Sequence, residues 1–264
     1  MNTQASNTLR LMGLSAELLA TGHTRGTCMN YISDVVPSLL SEQQVSAQSI
    51  DLILTLSMSI DHLTDDTAIQ SPRLGYPIQH HLAASNAFVL DLQDTSWAQA
   101  FEIANGYLSC TDMQRVLVVE ANSFTQPVAS QLFNGARAAL LDKADETASC
   151  MMVSQELPLE HVRTLVLTDD NDISLSEVDE QESVLLSDAI IQVVKQSNVT
   201  TPVLLDLPRY LQEAVHSRLQ NELPQTQWLL WALLGNPTSK VLWVSYEVFR
   251  KRVVARELLI KDEL

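Results

Sequence analysis

Short continuous apolar runs recur along the chain, separated by stretches in which apolar residues fall at every third or fourth position. The runs over 50–56, 87–92, 116–120, 136–141, 162–167, 203–205, 228–233, 241–246 and 253–260 do not alternate with polar residues, which predicts strands buried on both faces. Helical spacing predicts helices over 29–40, 95–108, 184–195 and 210–219. The resulting order, β-α-β-α-β-α-β-β and then a shorter similar series, predicts an α/β protein of two related halves, 1–145 and 146–264, the second one shortened. Glycine and proline are sparse and no Ser-rich or Pro-rich linker intervenes, so the halves interlock. The acidic segment 168–182 lacks the glycine and terminal glutamate of a calcium loop and reads as a solvated loop entering a helix.

Composition narrows the chemistry. With 264 residues, 46% of them hydrophobic, the chain has enough apolar content for a large core. None of its apolar runs is long enough to span a bilayer, so a soluble protein is expected, with no membrane partner. A formal net charge of −16 repels nucleic acid and anionic lipid, and argues against docking an acidic carrier or coenzyme A. Cys28, Cys110 and Cys150 show no paired spacing, which predicts neither disulfide nor zinc site and a reduced, cytoplasmic setting. The first residues make a poor secretory signal, so the closing Lys261-Asp262-Glu263-Leu264 is taken as a coincidental match to a retention address. His80 and His81 are adjacent and point apart. No common phosphate, dinucleotide, zinc-protease or nucleophile-elbow motif is present, and neither cofactor nor metal is expected.

One stretch asks for a chemical reading: AFVLDLQDTSWAQAFEIANGYL, residues 87–108. An apolar run ends in Asp91, and Asp94 opens a long amphipathic helix. Strand, tight turn and helix is an arrangement on which several enzyme classes mount a nucleophile. A carboxylate at a helix N-terminus is stabilised as the anion, so it is a poor base, and its acyl adduct is a high-energy anhydride. As an N-cap it is well suited, so Asp94 is predicted to cap the helix. Cys110 lies at the far end of that helix, too distant to replace a thiol at its start.

IDLILTLSMSIDHL (50–63), the stretch just quoted and RVLVVEAN (115–122) together resemble the β-ketoacyl synthase III branch of the thiolase superfamily, over 47–141. The family has a strand like IDLIIVATTTPDHL, a nucleophile segment AFDINAACSGF, a strand RVLVVGAD and a loop FGDGAGA. Mapped onto this chain, the catalytic cysteine is Asp94 and the Ser-Gly after it is Thr95-Ser96. The histidine of an HQAN-like motif falls on Asp206. The asparagine of GNTSAAS leaves a possible remnant at Asn236, followed at once by a strand, so a helix is deleted there. The glycine loop becomes Phe133-Asn134-Gly135-Ala136-Arg137-Ala138, with a bulky Arg137.

The resemblance implies a thiolase fold of two βαβαβ-type halves in α-β-α-β-α layers, with no catalytic residues of its own. Within the branch the chain is similar to the non-catalytic subunits of bacterial 2-alkyl-4-quinolone synthases. That likeness implies a heterodimer, or a dimer of heterodimers, with a Cys-bearing ketosynthase III-like subunit that condenses a fatty acyl group with a β-keto acid. The family pairs the strand before the nucleophile across a two-fold axis, which here puts Asn86, Phe88, Val89 and Leu90 in the interface. The loop carrying Ile69 and Pro72 corresponds to the one that reaches the partner's acyl tunnel. The alternatives are a homodimeric degenerate ketosynthase that binds a small molecule or is purely structural, and a chain-length-factor-like subunit of another acyl pathway.

Overall fold

Continuous apolar runs need cover on both faces, and the fold supplies it by stacking two sheets between helices. A computed structural model describes residues 2–6, 9–18, 27–57, 74–92, 95–123, 132–144, 150–159, 164–167, 173–176, 181–197, 201–230 and 240–260. The amino-terminal elements are β1 (Asn2–Ser6), β2 (Leu9–Leu18), α1 (Cys28–Glu42), β3 (Leu52–Thr55), α2 (Gly75–His81), β4 (Phe88–Asp91), α3 (Trp97–Cys110), β5 (Arg115–Asn122) and β6 (Gly135–Lys143). Then follow β7 (Cys150–Glu156), β8 (Leu165–Leu167), β9 (Ile173–Leu175), α4 (Glu182–Ser197), β10 (Val203–Asp206), α5 (Arg209–Glu222), β11 (Trp228–Leu230), β12 (Lys240–Glu247) and β13 (Arg252–Ile260).

The strand order repeats. The first half runs β4-β3-β5-β6-β2 and the second β11-β10-β12-β13, with β7 on the far side of β13. In each half the outer three strands are parallel and the next two antiparallel. The halves join where Leu259 and Ile260 of β13 pair with Arg10 and Leu11 of β2.

Period-two alternation sorts each strand between layers. On β5, Val116 and Val118 enter a central core shared with α3, whereas Leu117, Val119 and Ala121 pack under α1. On β12, Val241 and Trp243 enter the same central core, and Leu242, Val244 and Tyr246 pack under α4 and α5. The layers are therefore helix, sheet, α3, sheet, helix. In the centre, Trp97 and Phe101 of α3 meet Trp243 of β12, with ring centroids 4.8–5.7 Å apart. Arg256 of β13, fully buried, pairs with Glu102 of α3 and ties the helix to the second sheet. Burial pulls its guanidinium down to about 10.

Several features depart from the sequence reading. The stretch 9–18, weighed only as a leader, is β2; its alternation is offset by a bulge between Leu11 and Gly13. Strand β7 and helix α2 had no predicted counterpart. Inside the segment read as a loop, β9 pairs with β8 as a small separate hairpin. Helix α3 starts at Trp97 rather than Thr95, and Ser96 is its cap, its Oγ accepting from Gln99 N at 3.1 Å. Asp94, Asn236, Ile69, Pro72 and the final four residues lie outside the described residues.

Candidate functional site

Two charges that interrupt apolar strands meet on one ladder. Glu120 near the end of β5 stands directly opposite Arg137 near the start of β6, so both side chains leave the same face of the sheet. Both are buried. Arg137 grips Glu120 Oε2 through Nη2 and through Nε, the latter at 3.1 Å, while its Nη1 lies 2.8 Å from Asp206 Oδ1. Asp206 ends β10, so the guanidinium spans both halves. Trp97, opening α3, donates from Nε1 to Glu120 Oε2 at 2.5 Å, and Asn122 Nδ2 donates to Oε1 at 3.1 Å. Phe133 backs the guanidinium, its centroid 4.1 Å from Cζ.

The electrostatics follow from one cation shared by two carboxylates in a dry place. Burial alone depresses the Arg137 guanidinium, but Asp206 and Glu120 reverse this and hold it above its ordinary value. Glu120 is displaced upward: burial, with help from the negative charge of Asp206, outweighs the attraction of Arg137 and the bond from Trp97. Burial, with Arg137 nearby, pulls Arg209 down.

These groups wall one side of a half-open cavity of about 90 Å³. The turn residues Thr95 and Ser96, the strand end at Asp206, Tyr246 and Glu247 at the end of β12, and Phe249 just beyond it complete the lining. The structure thus brings Asp206, Thr95, Ser96 and Arg137 to one place. The α3 N-terminus, which would hold a developing anion in an acyl-transfer site, is already occupied by the protein: Ser96 takes Gln99 N, and Ser245 Oγ accepts from Ala98 N at 3.4 Å. Glu120 was not singled out from the sequence. Its signal was present, since a lone acid in one apolar run and a lone base in another each need a partner once buried.

The predicted interface strand is a sheet edge. Among the described residues, β4 pairs only with β3. Phe88 is 67% exposed, and Tyr76 of α2 is 69% exposed; Asn86 is exposed, and Val89 and Leu90 are half-buried. Asp91 fastens α2 to this edge, its Oδ1 accepting from Thr55 Oγ1 at 2.6 Å and from Gly75 N at 2.8 Å. Gly75 is required for so close an approach, because a Cβ there would fall 2.1 Å from Val89 Cγ1. No helix among the described residues is long and apolar enough to cross a membrane, and among them no group of three or more His, Cys, Asp or Glu could hold a metal ion.

No family model matches the chain. The 2-heptyl-4(1H)-quinolone synthase subunit PqsB of Pseudomonas aeruginosa is 37% identical over 95 residues, 36% of this chain and 34% of that protein. The match thus spans about a third of that relative's length. Among solved structures, the priming β-ketosynthase of the R1128 polyketide pathway superposes with a TM-score of 0.72 at 14% identity, covering 97% of each chain. A 3-oxoacyl-(acyl-carrier-protein) synthase from Burkholderia xenovorans gives 0.70 at 11% identity, covering 98% of this chain and 96% of its own. Synthase III of Pseudomonas aeruginosa gives 0.66 at 13%, covering 97% and 99%. With the repeated strand order and the helix-sheet-helix-sheet-helix layering, these likenesses show that the chain has the thiolase fold of the β-ketoacyl synthase III enzymes.

Proposed function

We propose that this chain is a ketosynthase III-like subunit without a nucleophile of its own, which completes a condensing enzyme by pairing with a cysteine-bearing partner of the same fold. The observation that carries the reading is the Arg137–Glu120–Asp206 triad. Where the family keeps a glycine loop beside the reacting centre, this chain buries an ion pair and closes it with a third charge from the other half. A site that must admit an acyl thioester needs that volume, and a buried guanidinium held by two carboxylates is costly to displace. The curated relative, itself a quinolone synthase subunit over the matched third, supports a role in joining a fatty acyl group to a β-keto acid. Residues 1–145 and 146–264 would then be the two thiolase-like halves.

In this reading the partner pairs along β4. A strand that is a sheet edge among the described residues and carries an exposed phenylalanine is a template for strand addition, and left uncovered it is an aggregation hazard. Asp91 and Gly75 hold α2 and its Tyr76 against that edge, so the platform is built before the partner arrives.

The test is co-expression with a cysteine-bearing ketosynthase III-like subunit, size exclusion, and intact mass after exposure to a medium-chain acyl-CoA. One-to-one co-elution with the acyl mass on the partner alone supports the reading. Acyl mass on this chain would overturn it. Phe88→Asp, at a solvent-exposed position, should abolish co-elution while leaving the thermal midpoint of the isolated chain unchanged.

A further inference from the structure

The edge that β4 offers to another strand is shorter than β4 itself. Phe88 N donates to Asp51 O at 2.8 Å and Leu92 N to Thr55 O at 2.8 Å, both toward β3. In a trans peptide the C=O points away from the N–H that follows it, so Ala87 O and Asp91 O face away from β3. The parallel register carries the same alternation along the strand, which leaves the N–H and C=O of Val89 and the N–H of Asp91 on the outer side as well.

Ala87 is taken out of this row by its own chain. Its N–H donates to Ala84 O at 3.0 Å, and its O accepts from Gln79 Nε2 of α2 at 2.6 Å. Among the described residues nothing takes the outward groups of Val89 or Asp91. Asp91 in turn fixes α2, its Oδ1 accepting from Gly75 N, so Gln79 is held in place by the strand it blocks.

Val89 and Asp91 define what can be added. An antiparallel strand exchanges both bonds at each of them, with a non-bonded position opposite Leu90 between. A slip by two residues toward Asn86 would keep every side chain on its own face, so the apolar pattern does not forbid it. The occupied Ala87 carbonyl does. Val89 and Asp91 lie toward Gly75 of α2, so Phe88 and Leu90 share the opposite face, where Leu90 packs on the central core. An apolar residue opposite Leu90 would continue that face over the exposed Phe88. A second copy of this chain would set one charge of −16 against another, which favours a less acidic chain as the occupant. Two chains of one fold meeting about a pseudo-two-fold bring their strands together antiparallel.

We infer that Gln79 is the register stop of this edge: the partner subunit adds an antiparallel strand bonded at Val89 and Asp91 and no further toward Asn86, with an apolar residue opposite Leu90. The inference rests on the pairing with a cysteine-bearing partner and adds its register and the residue that sets it.

The experiment is residue-resolved hydrogen exchange on the full-length chain alone and in its co-eluting complex with a cysteine-bearing ketosynthase III-like subunit. In the chain alone the amides of Val89 and Asp91 should exchange freely while those of Phe88 and Leu92 are protected. In the complex Val89 and Asp91 should slow by about 100-fold or more. Two alternate amides of the partner's strand should gain protection with them. A third should join them in the complex of Gln79→Ala, where Ala87 O is free to accept. Val89→Pro removes an N–H that the sheet does not use, so it should abolish co-elution while Phe88 and Leu92 stay protected. Protection of Val89 and Asp91 in the chain alone, as a second copy would give, overturns the inference. So does their free exchange in a co-eluting complex, a third protected partner amide without the substitution, or an unchanged pair with it; each of these leaves the pairing itself standing. Failure of the unmodified chains to co-elute overturns the pairing and this register together.

Discussion

The two halves use the same strand order for different ends. In the first, residues 92–114 separate β4 from β5 and include the 14-residue α3, which fills the middle of the molecule. In the second, only residues 231–239 separate β11 from β12, too short a stretch for a helix of that length. The central layer is therefore asymmetric. Where a second helix would pack, Trp243 of β12 stands against Trp97 and Phe101, and Arg256 of β13 reaches Glu102. Among the described residues both end strands are short and pair with one neighbour, β4 with four residues and β11 with three, and β4 carries the exposed Phe88. A duplicated fold keeps its layers because every strand needs cover on both faces, and it can lose a helix provided that large side chains take over the lost volume.

The sharpest way to break this comparison is to remove the side chain that fills the shortened half. Trp243→Ala leaves a large void against α3 and should cost about 3–5 kcal/mol in denaturant unfolding. A cost below about 1 kcal/mol would mean that the centre is not packed around that indole. Next is the charge that bridges the halves. Arg137→Ala strands two buried carboxylates and should cost about 3–5 kcal/mol, much of it recovered when Glu120→Gln is added. Failure of the second change to recover stability would show that the guanidinium matters through packing on Phe133 rather than through charge.

Smaller effects sharpen the same picture. Ser96→Ala removes the cap of α3 and should cost about 1 kcal/mol, whereas Asp94→Asn should cost less, the reverse of the order expected from the sequence. The pH dependence has a definite sign. Glu120 holds its proton more tightly when folded than at its ordinary value of 4.5, so its contribution is fully present below that value and is lost as pH rises through the folded pKa. Thermal midpoints measured upward from pH 4.5 should therefore show a declining component, and Glu120→Gln should remove it.

Much of this was legible beforehand in particular residues. The strands β3, β5, β6 and β12 announce themselves because nothing but burial on both sides explains runs such as Val116 to Val119. Strand β2 was missed because its bulge at Leu11 and Gly13 shifts the alternation midway. The cap of α3 was misplaced by two residues because Asp94, Thr95 and Ser96 are all competent caps, and only the path of the turn selects among them. Arg137 stood out as a bulky replacement in a glycine loop, yet its partner did not, since Glu120 reads locally as the end of a strand.

What the sequence by itself determined is the layered order of strands and helices and the short connection between β11 and β12, because these are properties of local pattern and length. What only the tertiary structure decided is which charges meet. Arg137 lies 17 residues from Glu120 and 69 from Asp206. The ladder register sets the first pair and the stacking of the two sheets sets the second. Neither is encoded in the spacing along the chain, since side chains brought together by register and layer packing can lie any distance apart in sequence.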